Sequence, residues 1–243
     1  MSDLTKLSCQ EFLEKLASNA PTPGGGGGAA MAGALAVALT SMVGNLTVGK
    51  EKFAQHEAEV QELLAKAEAL RMKMFALVNA DAEVFNSFMV CYRLPKATEE
   101  EKQARNQAIQ NAAKEAAEVP LKIAEACLEV MKLAERIAII GNPGAITDAA
   151  VSSIMARAAL RSAVYNVVVN LKLIKDEAYN QTIYAKIEAM QNEAESLEQA
   201  TLITTHRILN LSQKRRVVRN KERVGYTGRN NYHRHTHSAR VRC

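Results

Sequence analysis

The chain has 243 residues, of which 48% are hydrophobic, and this is enough for one large domain with a sizeable core. Aromatic residues make up only 5%, tryptophan is absent and five prolines occur, so helices packed through Ala, Leu, Val, Ile and Met are favoured over strands and turns. The four cysteines are scattered without a Cys-x-x-Cys pair, which argues against a disulfide framework or a metal site and suits a reducing, cytoplasmic compartment.

The net charge of +5 comes from one end of the chain. Residues 212–243 hold ten Lys and Arg against one acid, which leaves 21 basic and 25 acidic residues, a net charge of −4, in residues 1–211. We therefore predict a helical domain over 1–211 and a basic disordered tail over 212–243, which is too poor in apolar residues to order itself. Its charge permits a nucleic-acid arm and its three histidines permit a metal-binding tract, but an extension without either role is the simpler interpretation.

The N-terminal part of the chain predicts a short helix, a loop and a helix of small residues. Ser8 and Glu11 have the spacing of a capping box, which predicts a first helix over 8–19. Two prolines and five consecutive glycines, Gly24 to Gly28, then predict a stretch without regular structure. The apolar stretch over 29–43 predicts a helix that continues to about 48. It is shorter than the ~20 residues that span a bilayer, so we predict a buried core helix and no membrane segment.

Helical spacing of apolar residues dominates the rest of the chain. A second capping box, Thr98 with Glu101, begins a helix that Pro120 is expected to end or kink. Asp148, or Thr147 before it, is the expected cap of a later helix. The predicted helices cover 51–92, 98–120, 120–140, 147–174 and 176–209. Since no alternating apolar pattern of useful length occurs, the predicted fold is a single-domain, all-α bundle of long antiparallel helices.

One segment imitates a phosphate-binding loop. Gly44 to Lys50 has the flanking glycines and the lysine of that motif. A P-loop, however, needs a preceding strand and a Ser or Thr after the lysine, whereas a predicted helix precedes this segment and Glu51 follows it. We reject a nucleotide site here.

The glycine-rich stretch and two carboxylates are the first candidates for chemistry. Glycines that lead into a helix expose backbone N–H groups at the positive end of a helix dipole, which suits an anionic ligand, although a flexible linker explains them equally well. Asp81 and Glu83 lie in an otherwise apolar stretch. A carboxyl that faces a cleft there would have a raised pKa suited to proton transfer, and a solvated helix face is the alternative.

Further polar residues have ordinary explanations. Asp148 follows a Gly/Pro loop and is by default an N-cap, and Asn142, Asn166 and Asn170 could each be a core amide with satisfied hydrogen bonds. None of these signals alone indicates a reaction.

Together, these segments resemble one family. The order of short motifs over about residues 4–209 is similar to the cyclodeaminase domain of the formiminotransferase-cyclodeaminase family. The matching segments are 23–26, 29–30, 33–35, 41–43, 45–47, 49–50, 81–85, 94–98, 119–121, 141–142, 148–149 and 166–171. The chain departs from the family in one place, because Gly27 and Gly28 stand where Ser-Val usually follows the three glycines, and the tail over 212–243 matches nothing in it.

The resemblance implies an all-helical homodimer that binds a reduced folate near the subunit interface, without a metal. It implies either cyclodeamination of 5-formimino-tetrahydrofolate to 5,10-methenyl-tetrahydrofolate and ammonia, or, as the alternative, the cyclohydrolase reaction, in which water adds to the methenyl carbon. Asp81 is the first candidate for the acid/base that serves either reaction and Asp148 the second. The other expected substrate-binding residues are Gly24, Gly25, Gly26 and Lys96, which would hold the anionic glutamate tail, Asn142, which would contact the pterin, and Glu83.

Two other classes of function stay open at the level of sequence. A folate-binding module without turnover would explain Gly27 and Gly28, and it predicts saturable binding with no change in folate absorbance. A helical scaffold whose tail binds nucleic acid predicts an affinity that falls steeply with salt and disappears when 212–243 are deleted.

Overall fold

The computed structural model describes residues 3–211, and over this range it contains helices and no strand. The α-helices are α1 (Cys9–Leu16), α2 (Gly25–Asn45), α3 (Glu57–Cys91), α4 (Glu99–Ile140), α5 (Ile146–Leu171) and α6 (Glu177–Ile208). Short 3₁₀ turns lie at Leu4–Lys6, Glu51–His56 and Pro143–Ala145. The prediction of an all-α bundle of long helices is confirmed. The predicted tail over 212–243 lies outside the described residues.

The small residues of α2 allow it to lie at the centre of the bundle, in contact with α3, α4 and α5. Ala30 and Ala36 are completely buried, as is Val37. A Cβ atom at Gly33 would lie 2.7 Å from Met74 Cε and 3.1 Å from Cys127 Sγ, so a larger residue here would force these side chains of α3 and α4 to move. The core therefore depends on short side chains in α2 and on longer ones from its neighbours.

The starts of α1, α4 and α6 agree with the prediction. The side chains of Ser8 and Thr98 each accept a hydrogen bond from the backbone N–H three residues later. The carboxylates of Glu11 and Glu101 accept the backbone N–H of Ser8 and Thr98 in turn, so both capping boxes form. Asp176 caps α6 through the N–H of Tyr179. The segment that imitates a P-loop is the last turn of helix α2 and the turns after it, with no strand before it, which confirms its rejection.

The glycine run does not form the predicted loop. Helix α2 begins at Gly25, with Gly24 as its N-cap, so four of the five glycines are helical. Glycine has a poor intrinsic propensity for helix, but tertiary packing against α3 and α5 outweighs a cost of roughly 1 kcal/mol per residue. The sequence-based boundary was therefore wrong by one helical turn.

Pro120 does not end its helix, because Glu99–Ile140 is one continuous helix. Proline has no N–H, so the carbonyl of Ala116, four residues earlier, loses its helical partner. The Asn170 side chain on α5 replaces it, since its Nδ2 atom donates to this carbonyl at 2.9 Å. An amide 54 positions away in the sequence thus keeps α4 intact.

Replacing Asn170 with alanine is expected to lower the free energy of unfolding by about 1–3 kcal/mol, because the buried Ala116 carbonyl would lose its donor. In a Pro120→Ala background the backbone N–H of residue 120 can bond to that carbonyl, so the same substitution should cost clearly less. Urea unfolding of the four proteins in this cycle measures both losses. Equal losses in the two backgrounds would contradict this account of Pro120.

The start of α5 also differs from the prediction. The helix begins at Ile146, so Thr147 and Asp148 lie in its first turn and neither caps it. Asn142 closes the preceding 3₁₀ turn instead, because its side-chain oxygen accepts the N–H of Gly144 at 3.0 Å. The side-chain cap at this junction is therefore Asn142, rather than the predicted Thr147 or Asp148.

Two stretches, Gly25–Asn45 and Glu51–Cys91, are long and apolar enough by length and composition alone to cross a membrane. The first is α2, which has 21 residues and begins in the glycine run. In α2, 56% of the apolar window is buried inside the bundle, which supports the interpretation as a core helix.

Candidate active site

A cleft of about 350 Å³ opens where four helices meet: the start of α2, the C-terminal part of α3, the middle of α4 and the C-terminal part of α5. Most of its wall is apolar, and one carboxyl and two amide side chains project from that wall. The lining residues are Pro21, Thr22, Gly24, Gly25, Gly26, Asp81, Val84, Phe85, Phe88, Ala116, Pro120, Asn166, Val169, Asn170 and Leu173. A mostly apolar cleft with few polar groups is typical of a small-molecule site.

Asp81 lies on α3 against the first turn of α2. Its Oδ2 atom accepts a hydrogen bond from the backbone N–H of Gly27 at 2.8 Å. Because Gly24 has no side chain to cap α2, the Asp81 carboxyl takes over that role from the neighbouring helix. Sequence-distant groups therefore fix the position of this carboxyl.

The close contact depends on Gly26. A Cβ atom at position 26 would lie 2.0 Å from Asp81 Oδ1, which no real structure tolerates. At Gly25, a Cβ atom would lie 3.2 Å from Asn166 Oδ1, a tight contact but a smaller conflict. The glycine run thus lets the start of α2 approach the polar side chains of α3 and α5.

Burial raises the pKa of the Asp81 carboxyl above its usual range, and the hydrogen bond from Gly27 partly opposes this effect. Asp81 is also the only titratable side chain among the described residues that line the cleft. A carboxyl whose pKa is raised in this way is suited to exchange a proton with a bound ligand.

Asn166 and Asn170 project from successive turns of α5. The Nδ2 atom of Asn166 donates to the Ser162 carbonyl at 2.9 Å, and that of Asn170 donates to the carbonyls of Ala116 and Asn166. Since each Nδ2 atom already donates to at least one backbone carbonyl, the side-chain oxygens are suited to accept hydrogen bonds from a ligand.

Apolar side chains from two helices form the remaining wall. Phe85 and Val169 are 38% and 57% exposed, while Phe88 is buried. Such a wall is suited to the face of a flat aromatic ring system.

The structure brings only some of the predicted site residues together. Gly24, Gly25, Gly26 and Asp81 meet in the cleft. Glu83 is exposed and lies two positions after Asp81, about 200° around the helix, so it points away from the cleft.

Three other predicted site residues do not line the cleft. Lys96 is exposed in the α3–α4 connection. Asp148 and Asn166 are at opposite ends of α5, about 27 Å apart along the helix axis. Asn142 lies near the end of α2, where its Nδ2 atom donates to the Leu46 carbonyl. Within one chain, Asp148 and Asn142 therefore cannot join Asp81 at the cleft, and their roles stay predictions.

In the sequence, Asn166 and Asn170 are interpreted as core amides and belong to a segment that resembles the family, but neither they nor the apolar wall are predicted to form the site. The amides do have satisfied donors, but both also line the cleft. Their spacing of four residues in an apolar run was the available signal, because it places both on one face of a helix. Over residues 3–211 no group of three or more His, Cys, Asp or Glu side chains could hold a metal ion.

Comparisons with known proteins all indicate the same protein family. Residues 8–189 match the family model described as formiminotransferase-cyclodeaminase. Methenyltetrahydrofolate cyclohydrolase of Methylorubrum extorquens is 46% identical over 190 residues, which cover 78% of this chain and 91% of that protein. Formimidoyltransferase-cyclodeaminase of Sus scrofa is 32% identical over 192 residues, and the match covers 79% of this chain but only 35% of that larger protein.

A solved structure shows the same fold. The crystal structure of formiminotetrahydrofolate cyclodeaminase from Thermotoga maritima superposes with a TM-score of 0.77 at 30% sequence identity. The superposition covers 85% of this chain and 99% of that one.

Proposed function

Because the chain belongs to the formiminotransferase-cyclodeaminase family, we propose that its cleft binds a reduced folate and that Asp81 transfers protons at the folate's one-carbon unit. The observation that carries this proposal is the Asp81 carboxyl, whose pKa burial raises, in an otherwise uncharged and largely apolar cleft. Phe85 and Val169 would contact the folate ring system, and Asn166 and Asn170 would accept hydrogen bonds from it.

Hydrolysis of methenyl-tetrahydrofolate is the first candidate reaction, because the Methylorubrum relative that bears this name aligns over 91% of its length. Asp81 would remove a proton from water as the water oxygen bonds to the methenyl carbon. The bond from that carbon to N5 then breaks as N5 receives this proton from Asp81. The hydroxyl of the adduct loses its remaining proton to solvent, so a formyl group remains on N10. An ionised Asp81 would also stabilise the methenyl cation.

Cyclodeamination is the second candidate, and the close match to nearly the whole Thermotoga cyclodeaminase favours it. Here N10 attacks the formimino carbon, Asp81 takes the proton from N10, and the adduct expels ammonia after the departing nitrogen is protonated. Both reactions need one carboxyl that alternates between base and acid, so the cleft is suited to either.

The test supplies the protein with each folate separately and follows the near-ultraviolet absorbance of the methenyl form. Faster loss of methenyl-tetrahydrofolate would show hydrolysis, and a rise on 5-formimino-tetrahydrofolate would show cyclodeamination. An Asp81→Asn variant measured alongside should be nearly inactive in whichever assay succeeds. Folded protein that changes neither substrate would refute the proposed function, and saturable folate binding without turnover would then favour the binding module.

We also propose that two copies of the chain pair through the outer faces of α2 and α5. On α2, Leu35 and Met42 are 54% and 46% exposed, two turns apart. On α5 the exposed apolar residues follow at intervals of three, four or seven residues, which keep them on one side of the helix: Val151, Ile154, Ala158, Tyr165 and Val169. Because α2 and α5 pack against each other, these stripes lie on neighbouring helices. Exposed apolar surfaces of this kind mark interfaces.

Val169 belongs both to this stripe and to the cleft wall, so a second copy would cover one edge of the cleft. This agrees with the subunit interface implied by the resemblance. It also provides the route by which Asp148 or Asn142 of a second copy could approach the cleft.

Leu35→Asp and Ile154→Glu are each expected to convert a dimer into a monomer, because a charge in an apolar interface lacks a partner. Light scattering coupled to size-exclusion chromatography measures the mass. Ile203→Glu is the matched control, since Ile203 is 69% exposed and lies on α6, outside the proposed α2 and α5 stripes. A wild-type monomer at micromolar concentration, or variants that stay dimeric, would contradict this interface.

A further inference from the structure

Gly27 leaves a space beside the Asp81 carboxyl. Gly27 is buried, and its N–H holds Asp81 Oδ2. A Cβ atom at this position would meet Pro23 Cβ at 3.4 Å and both Asp81 Oδ2 and the Val78 carbonyl oxygen at 3.8 Å. These are ordinary contact distances, so a hydroxymethyl group fits here, unlike at Gly26.

A serine hydroxyl at position 27 would reach Asp81. The bond from Cβ to Oγ is about 1.4 Å long, and a Cβ atom 3.8 Å from Oδ2 therefore leaves the hydroxyl within normal hydrogen-bond reach of about 2.5–3.0 Å. In this chain, glycine supplies only its backbone N–H. Position 27 is also where the family usually has the serine that this chain lacks.

We propose that Gly27 is a positioning residue that sets the proton affinity of Asp81 by withholding a side-chain hydrogen bond from Oδ2, so that residue 27 determines the pH range of turnover. The proposal rests on the proposed role of Asp81 as the acid/base. A hydrogen bond to a carboxylate favours its charged form, and the missing hydroxyl therefore keeps the proton on Asp81 to a higher pH.

No other charged group among the described cleft residues competes with this effect. From α2, only glycines face the carboxyl. The cleft residues of α4, Ala116 and Pro120, are uncharged, and those of α5 are amides and apolar residues. On α3 itself, the nearest carboxyl, Glu83, points away. The hydrogen bonds to Asp81 are thus the main means of changing its protonation.

The experiment compares the pH dependence of kcat/KM for wild type, Gly27→Ser, Gly27→Ala and Gly28→Ser, on the folate that wild type converts. In Gly27→Ser, the limb of the profile that is set by ionisation of Asp81 should move to lower pH by about one unit. A shift of one unit corresponds to about 1.36 kcal/mol of added stabilisation of the ionised carboxylate. Gly27→Ala adds the same carbon without a donor, so its limb should stay in place or move slightly upward.

Gly28→Ser is the matched control. Position 28 is in the same helical turn, and a Cβ atom there meets only Leu16 Cδ2, at 3.9 Å. It should gain the same backbone rigidity and keep the wild-type profile. Circular dichroism and thermal melting confirm that each variant is folded.

The outcomes separate the two proposals. An active wild type, an inactive Asp81→Asn variant and an unmoved profile in Gly27→Ser would overturn the role of Gly27 and leave the function standing. Equal shifts in Gly27→Ser and Gly28→Ser, or in Gly27→Ser and Gly27→Ala, would also overturn it. An Asp81→Asn variant with full activity would instead refute Asp81 as the acid/base.

Discussion

Replacing Asp81 with asparagine is expected to lower kcat at least ~10²-fold on the folate that the wild type converts. Asparagine keeps the shape of the side chain, and its oxygen can still accept the N–H of Gly27, as Oδ2 does at 2.8 Å. The variant therefore loses the exchangeable proton and the charge of the carboxylate while the geometry is kept. Turnover close to wild type in a folded variant would remove Asp81 from the mechanism.

The same variant has a second readout, its stability. Since burial raises the pKa of Asp81 in the folded protein, the ionised carboxylate is disfavoured there, and its effect on stability becomes less favourable as pH rises from the unfolded to the folded pKa. Asparagine avoids this loss. The melting temperature of Asp81→Asn relative to wild type should therefore be higher at pH 7 than at about pH 4.

Glu62→Gln is the control for both readouts, because it removes a carboxylate from the same helix at an exposed position that pairs with Lys66. It should leave kcat unchanged and the melting temperature nearly so. If Glu62→Gln reproduced the loss of turnover, a general effect of charge on α3 would explain the Asp81 result instead.

The parts of the fold that depend on neighbours in sequence could be predicted. Ser8 with Glu11 and Thr98 with Glu101 form their capping boxes because every participant lies within one turn of helix. The apolar spacing of the long helices likewise predicted the all-α bundle. These signals are local, so no knowledge of the tertiary fold was required.

The failures involve partners that are distant in the sequence. Pro120 stays helical because Asn170 satisfies the Ala116 carbonyl. The glycines from position 25 are helical because Asp81, 54 positions after Gly27, caps their helix. Neither relation can be read from a window of local sequence. Local propensity disfavours helix at Pro120 and at the glycines, and tertiary contacts outweigh both preferences.

The candidate site shows the same division. The sequence indicated Asp81 because it is a polar residue in an apolar stretch. Asp148 was a second candidate, but it lies in the first turn of α5, whereas the cleft is at the other end of that helix. Family resemblance ordered the motifs along the chain but gave no distances between them. The amides of α5 were visible but had an equally good structural explanation until the cleft was known.

Gly26→Ala is expected to lower kcat/KM by about 10- to 10²-fold without removing any functional group, because small misplacements of reacting groups have effects of this size. The new Cβ atom would lie 2.0 Å from Asp81 Oδ1, so either the carboxyl or the start of α2 must move. Gly28→Ala is its control, with a nearest atom at 3.9 Å, and it should keep its activity. Because alanine stabilises helices relative to glycine by up to ~1 kcal/mol, Gly28→Ala should also melt at a slightly higher temperature, whereas Gly26→Ala should not.

The double variant Gly26→Ala/Asp81→Asn distinguishes displacement of the carboxyl from a general disturbance of the cleft. If Gly26→Ala acts only by moving the Asp81 carboxyl, it has little left to disturb once that carboxyl is an amide, so its further effect on kcat/KM should be small. A full additional 10- to 10²-fold loss would show that the first turn of α2 contributes to catalysis independently of Asp81, for example through its free N–H groups at the cleft.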